Sequence, residues 1–404
     1  HYSSKKHIWS NIGQFLSKDG YLGGKSGYTD VAKQTVISIF SLPLRKDTSR
    51  PIAIVLLQSK DRKKDVDTIL KYLKKNVYYG GAADANTNWI KERLALPDTE
   101  QDFVDLLFGG DIMLDRGVKN SVVKNLKGNY GALFEKIDIL KKADIVFANL
   151  EGTASDKGKD IGNLYSFHMD PVVIPALKAS GIDILSMANN HVGDWGILAY
   201  IDTLNRLKEN EILYTGGGKD ATEAENPTII EKYGMKIGYL GFSDVGPNYM
   251  YAGEEKIGLL LANNPRFDEI IKNASSQVDY LIVSFHFGDE YKPIHNKRQE
   301  NLAHRAIDNG AKIIVGHHPH VAQDFEVYSP KSCTQSSCVG YIMYSLGNFI
   351  FDQKWSEPTM QGLLVQIKLD KYGNMSVIKN ITQQNKFFQI EKITKGKEEK
   401  LKFV

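Results

Sequence analysis

Hydrophobic and polar positions alternate along this chain in two distinct rhythms. Near the start, residues 35–42 and 51–58 ("PIAIVLLQ") are short apolar runs rich in β-branched residues, which predicts strands. Residues 61–77 ("DRKKDVDTILKYLKKNV") space their apolar positions three and four apart, which predicts an amphipathic helix. The stretch "GGAADANTN" (80–88) is small, polar and aperiodic, the composition of a linker. From about 103 the rhythm changes: apolar runs alternate with helical segments at 133–142, 171–180, 196–209, 266–275 and 297–309. That alternation predicts an α/β domain. Beyond 340 the pattern turns to strands ("YIMYSLGNF", "GLLVQIKLD", "MSVIKNIT"), with "KYGN" at 371–374 as a hairpin turn. No internal repeat or low-complexity segment interrupts it, and the lysine-rich last ten residues belong in solvent. The expected organisation is a small unit over 1–80, a linker over 81–102 and a large domain over 103–404.

Bulk properties narrow the field only modestly. A net charge of +3 on 404 residues gives no reason to expect nucleic acid as a partner. No apolar run reaches the roughly 18 residues that cross a bilayer, and "TVISIFSLPL" (35–44) is too short. No signal-peptide pattern opens the chain, but His1 does not look like a natural start, so a membrane anchor has room only upstream of it. The two cysteines, Cys333 and Cys338, lie five residues apart in a polar stretch between two expected strands. An even pair with no metal knuckle nearby is read as a small disulfide, which would place this region outside the cytoplasm.

The chemistry gathers where apolar runs end. "VDLLF" runs into "GGDIM" (Asp111), "DIVFA" into "NLEG" (Asn149, Glu151), and "DILSMA" into "NNHVGDWG" (Asn189, Asn190, His191, Asp194). "YLIVSF" runs into "HFGDEY" (His286, Asp289, Glu290, Tyr291), and "AKIIV" into "GHHPHV" (His317, His318, His320). In α/β architectures the carboxyl ends of strands share one rim, where ligands bind. Carboxylate, amide and imidazole together suit a divalent Mn, Fe or Zn ion, one or two per chain. A single such loop is usually a cap or a turn; five in succession on one rim argue for a metal site. His318 and His320 flank a proline, so in an extended stretch both would point the same way, as two ligands. His317 would point oppositely and serve as support.

Residues 105–353 resemble the capsule-synthesis family CapA/PgsA, associated with poly-γ-glutamate. "GGDIMLDRGV", "FANLEG", "MANNHVGDWG", "SFHFGDEY", "VGHHPHV" and "YSLGNFIFDQ" follow in the family's order. The resemblance implies a calcineurin-like metallophosphatase fold, two packed sheets flanked by helices. It further implies that Asp111 and His320 face one metal, that Asn190, His286 and His318 face another, and that Glu151 bridges them. His191 would be the uncoordinated acid, with Asp194 and Arg116 completing the catalytic candidates. Tyr291, Asn348 and Glu290 are the substrate-side candidates. Two departures stand out: Met113 occupies the position of a usual histidine ligand, and the bridging residue is Glu151 instead of an aspartate. Thioether is a poor ligand for such ions, so one metal is expected to be short of a ligand.

The first eighty residues carry a separate resemblance. "DGYLGGKSGYTDVAKQTVISIF" (19–40) and "RPIAIVLL" (50–57), preceded by "HIWSN" (7–11), are similar to the last third of a D-alanyl-D-alanine carboxypeptidase of the penicillin-binding-protein type. Lys25-Ser26-Gly27 would be its active-site box. The Ser-x-x-Lys nucleophile motif of that family belongs far upstream of the box, and "SSKK" (3–6) stands too close to replace it. A truncated α+β remnant without acyl-transfer chemistry is expected.

These readings converge on an extracytoplasmic, metal-dependent hydrolase or transferase of capsule or cell-envelope polymer metabolism. Its partners would be an anionic polymer such as poly-γ-glutamate, or a cell-wall substrate, and the capsule synthesis machinery. A non-catalytic polymer-binding assembly or export factor is the rival reading, and a generic metallophosphoesterase the third.

Overall fold

A computed structural model describes residues 15, 17–29, 33–45, 48–76, 103–330 and 339–401. The linker, "HIWSN" and the Cys333/Cys338 pair lie outside the described residues. Contacts divide the chain into two units, His1–Asp98 and Thr99–Val404.

In the first unit, strands β1 (Tyr21–Thr29), β2 (Lys33–Arg45) and β3 (Thr48–Ser59) form an antiparallel sheet in that order, followed by helix α1 (Arg62–Asn76). Period-two alternation sends Val36, Phe40 and Leu42 to one face, where they pack with Ile54 and with Val66 and Leu70 of the helix. Phe40 anchors this core, its ring 5.4 Å from Tyr21 and 6.1 Å from Phe15. Lys25-Ser26-Gly27 lies exposed on β1.

The second unit is built on two sheets. In the nine-stranded sheet β4 (Phe103–Ile112), β5 (Ile145–Leu150), β6 (Ile184–Ser186) and β7 (Leu213–Thr215) run parallel. The six-stranded sheet has β8 (Met235–Ser243), β9 (Tyr280–His286) and β10 (Ala311–His317) parallel at its centre. Leu106, Phe108, Phe147 and Ile184 of the first sheet meet Tyr239, Ile282, Ile313 and Val315 of the second in one buried layer. The alternate residues face outward: Leu107, Val146 and Leu185 pack in the cluster that holds α2 (Arg116–Asn125), α3 (Val173–Ser180) and α4 (Gly196–Glu209). Val283, Phe285 and Ile314 pack with α5 (Phe267–Ser275) and α6 (Lys297–Asp308). Helices therefore cover both outer faces of a two-sheet sandwich, as expected. Burial on both faces explains why these strands read as continuous apolar runs.

Three elements differ from the sequence reading. The segment 133–142 is no α-helix but two single 3₁₀ turns, Tyr130–Leu133 and Asp138–Lys141. These turns bury Leu133, Phe134, Ile137 and Leu140 as a helix of that spacing would. Helix α2 was not anticipated, because its apolar stripe is reduced to Val118 and Val122. "YIMYSLGNF" is two strands in different sheets: β11 (Gly340–Met343) pairs with β10, and β12 (Asn348–Ile350) pairs with β4. Between them Gly347 adopts φ 67°. Its carbonyl accepts from Asp111 N (3.0 Å), passing so close to Gly110 that a Cβ there would lie 1.9 Å from the carbonyl oxygen. The "GG" before Asp111 is thus a steric requirement of this crossing.

Candidate metal centre

Parallel strands bring their carboxyl ends to a common rim, and the two sheets meet there: Asn149 Nδ2, at the end of β5, lies 3.4 Å from Nδ1 of His286, at the end of β9. Asp111 is fully buried at the end of β4. Its Oδ1 accepts from Asn149 Nδ2 (2.8 Å) and its Oδ2 from the His318 backbone N–H (3.1 Å). His317 Nδ1 stands 3.2 Å from Asp111 Oδ1, outside hydrogen-bonding alignment. Burial would raise the Asp111 carboxyl, but the imidazoles of His317 and His320 and the Asn149 amide outweigh it and hold the group below its ordinary range.

Glu151 behaves oppositely. It follows β5, is fully buried, and neither carboxylate oxygen has a hydrogen-bond partner. Burial, then the nearby charges of Asp111, Glu290 and Asp194, push its pKa well above the ordinary carboxylate value. Around its Oε1 stand His320 Nε2 at 3.8 Å and His191 Nε2 at 3.9 Å.

The amides are wired into a network with a single consistent direction. Asn189 Nδ2 donates to the Leu150 carbonyl (2.8 Å) and to Asn149 Oδ1 (3.1 Å), while Asn189 Oδ1 accepts from His191 N (3.1 Å). Asn190 Oδ1 lies 2.8 Å from His286 Nε2. Burial holds His286 well below its usual pKa and brings His318 and His320 down to about 4. All three imidazoles are therefore neutral at pH 7 and keep a lone pair for a ligand.

His318 and His320 both turn into the site, but not by the extended geometry expected of them. Their φ values are 96° and 59°, so the Gly-His-His-Pro-His stretch coils around the rim and places the rings 5.9 Å apart. His317 ends β10, buried beside Asp111, in a supporting position.

His191 is only partly buried. Its Nδ1 lies 2.7 Å from Asp194 Oδ2, and Phe167 lies against its ring at 3.9 Å. Asp194 is itself fixed by Phe167 N (2.9 Å) and Asn163 Nδ2 (2.8 Å). Arg116 makes two bonds to Asp352 (2.6 and 3.1 Å) and lies over the Phe167 ring. Its guanidinium is thus engaged by this chain's own carboxylate. Glu290 and Tyr291 are exposed on the open rim, with Tyr291 5.7 Å from the exposed Trp355. Asn348 is fully buried behind His320, its Oδ1 3.1 Å from His320 Nδ1, which sets it away from the open face. Met113 packs with Phe167 and Phe351, and its sulfur accepts from Asp115 N (3.2 Å). The roles of Phe167, Asn163, Asp352 and Gln353 were not anticipated, although Asp352 and Gln353 fall within "YSLGNFIFDQ".

The residues fit a divalent cation. Buried polar atoms almost always find partners, yet both Glu151 oxygens and His318 Nδ1 have none. Asp111, Glu151 and His320 offer ligand atoms within 4.8 Å of one another, and Glu290, His318 and His320 form a second such group. Carboxylate oxygen and neutral imidazole nitrogen are the donors that Mn, Fe or Zn prefer.

A two-sheet sandwich carrying a buried carboxylate–imidazole–amide rim at residues 111–320 defines the class of protein. The model of the family described as bacterial capsule synthesis protein PGA_cap matches residues 105–353, and the chain belongs to that family. It is 34% identical over 288 residues to "Capsule biosynthesis protein CapA" of Bacillus anthracis, covering 68% of this chain and 66% of that protein. It is also 34% identical over 276 residues to "PGA biosynthesis protein CapA" of Bacillus subtilis (strain 168), covering 67% and 69%. The chain thus spans about two thirds of the length of these relatives. Among solved structures it is similar to a novel phosphatase from Mycoplasma pneumoniae, at TM-score 0.38 and 15% identity over 74% of this chain and 94% of that one.

Proposed function

We propose that the large unit is a metal-dependent hydrolase or transferase acting on poly-γ-glutamate or a related cell-envelope polymer outside the cytoplasm. The observation that carries this reading is Glu151: a fully buried carboxylate with no hydrogen-bond partner, faced by His320 and His191. Asp111, Glu151 and His320 would hold one ion and His318 and His286, with Asn190, the other. Such an ion would polarise an acyl or phosphoryl oxygen and make water nucleophilic at neutral pH. His191, kept in one orientation by Asp194, would deliver a proton from Nε2 to the leaving group. Glu290 and Tyr291 would meet the substrate on the open rim.

Met113 favours a second reading. With apolar packing where a ligand would stand, one metal would be held weakly, and the rim would then serve as a binding site of an assembly or export factor. Elemental analysis of protein purified without chelator, paired with turnover on γ-linked glutamate polymer and on a generic phosphoester, separates the two. Metal with turnover of the polymer supports the enzyme; metal with turnover of neither substrate supports the binding factor. For the small unit we propose no part in the chemistry: Lys25 is exposed on its outer strand, and a fluorescent penicillin should leave the chain unlabelled.

A further inference from the structure

A hydrogen-bonded chain leads from His320 to the rim, and one backbone carbonyl fixes the direction of every bond in it. Asn348 Nδ2 lies 3.0 Å from the Thr359 carbonyl oxygen and 3.1 Å from Gln353 Oε1. A carbonyl can only accept, so the amide atom turned toward Thr359 must be the nitrogen. The atom facing His320 Nδ1 at 3.1 Å is therefore Oδ1, and His320 Nδ1 must carry the hydrogen. That leaves the lone pair on Nε2, the atom turned toward Glu151. The same constraint propagates outward. Asn348 uses both Nδ2 hydrogens on acceptors, so Gln353 presents its oxygen to Asn348 and its Nε2 to the Tyr291 hydroxyl (3.2 Å). Tyr291 accepts there, which sends its own proton outward, beside the Glu290 carboxylate. Asn348 and Thr359 are 0% and 1% exposed and Gln353 is 5% exposed, so water does not compete for the inner bonds, while the Tyr291 end of the chain meets solvent.

We propose that Asn348 and Gln353 are positioning residues, a buried relay that holds His320 in its Nδ1–H tautomer and turns the Tyr291 hydroxyl proton toward the substrate side. This rests on the metal reading only for its consequence, the availability of Nε2 to a cation; the tautomer itself does not depend on a metal. Outer-shell partners of this kind typically alter metal affinity 10–100-fold when removed.

The test uses the full chain with ¹⁵N-labelled histidine, freed of metal, with His320→Gln assigning the signals. In the wild type His320 should be protonated at Nδ1. Asn348→Ala should shift it toward the Nε2–H form and weaken Mn²⁺ binding, read by titration calorimetry, by about 10–100-fold. Gln353→Glu keeps the acceptor facing Asn348 but replaces the donor facing Tyr291. It should leave the His320 tautomer unchanged and shift the ¹³C resonance of Tyr291 Cζ, assigned by Tyr291→Phe. This near-isosteric variant, with the wild-type spectrum, decides the matter even where Asn348→Ala fails to fold. An Nε2–H tautomer in the metal-free wild type, or an unmoved Tyr291 signal in Gln353→Glu, overturns the relay. A wild type with the expected tautomer and no Mn²⁺ binding would remove the metal reading and leave the relay standing.

Discussion

Nδ1 of His191 lies 2.7 Å from Asp194 Oδ2, and that carboxylate is simultaneously committed to Phe167 N and Asn163 Nδ2. A carboxylate tied on both oxygens cannot swing, so it holds the imidazole with Nδ1 as donor and Nε2 facing the site. His191→Gln should therefore retain bound metal while losing turnover by on the order of 10²-fold or more. Asp194→Asn, which keeps shape but removes the charge that stabilises a protonated ring, should lose less. Metal content and steady-state rates on the same preparations check both. Metal loss in His191→Gln would make His191 a ligand.

A second expectation concerns the rim histidines. His318 and His320 are common to the second group of converging ligand atoms, and His320 also belongs to the first. The double variant His318→Ala, His320→Ala should lose its metal with its circular dichroism unchanged, since both rings sit on a coil past the end of β10. Full metal stoichiometry in that variant would place the ion elsewhere.

Much of this was legible in the sequence, for an identifiable reason. Strand ends in α/β sheets share a rim, so the residues just past each apolar run already single out Asp111, Glu151, Asn190, His286 and His320. Helix α4 was readable to the residue because "GILAYIDTLNRLKE" carries a broad apolar stripe after a glycine of φ 75°. What failed was reasoning that assumed regular backbone. His318 and His320 were expected in an extended stretch, but positive φ angles, and not strand alternation, aim them inward. "YIMYSLGNF" looks like one strand because Leu346 is buried between its two halves, although the chain there is leaving one sheet for the other. Asp352 and Gln353 stand in "YSLGNFIFDQ", yet their roles gave no signal, since the bonds from Asp352 to Arg116 and from Gln353 to Tyr291 join residues 236 and 62 positions apart and leave no periodicity.

Stability should depend on pH through Asp202 of α4. Burial would raise this carboxyl, but hydrogen bonds from Lys157, Arg206 and Ser155, each 2.7 Å, outweigh it and hold the group at about 2. A folded-state pKa below the unfolded value means stability that is present above about pH 4 and lost as the pH falls toward 2. Asp202→Asn should cost on the order of 2 kcal/mol at pH 7. Urea titrations of both proteins should differ at pH 7 and converge as the pH approaches 2. A constant gap across that window would mean the loss is packing, not charge.

The last expectation separates the crossing of the strands from the chemistry of the ligands. Gly109 and Gly110 both precede Asp111, yet an added Cβ meets different neighbours. At Gly109 it would lie 3.0 Å from a Phe349 ring atom, a side chain that can shift by tenths of an ångström. At Gly110 it would lie 1.9 Å from the Gly347 carbonyl oxygen, which is backbone and already bonded to Asp111 N. That overlap cannot be relieved without separating β12 from β4. Separation would move Asp111 on one side and Asn348, the acceptor for His320, on the other. Gly110→Ala should therefore abolish metal binding and destabilise the fold by more than the usual overpacking cost, by about 4 kcal/mol or more, read as a sharp fall in melting temperature. Gly109→Ala should cost about 1–3 kcal/mol and leave metal stoichiometry intact. Thermal denaturation and metal analysis on the pair check this, and equal effects from the two would show that the backbone approach at Gly110 does not govern the site.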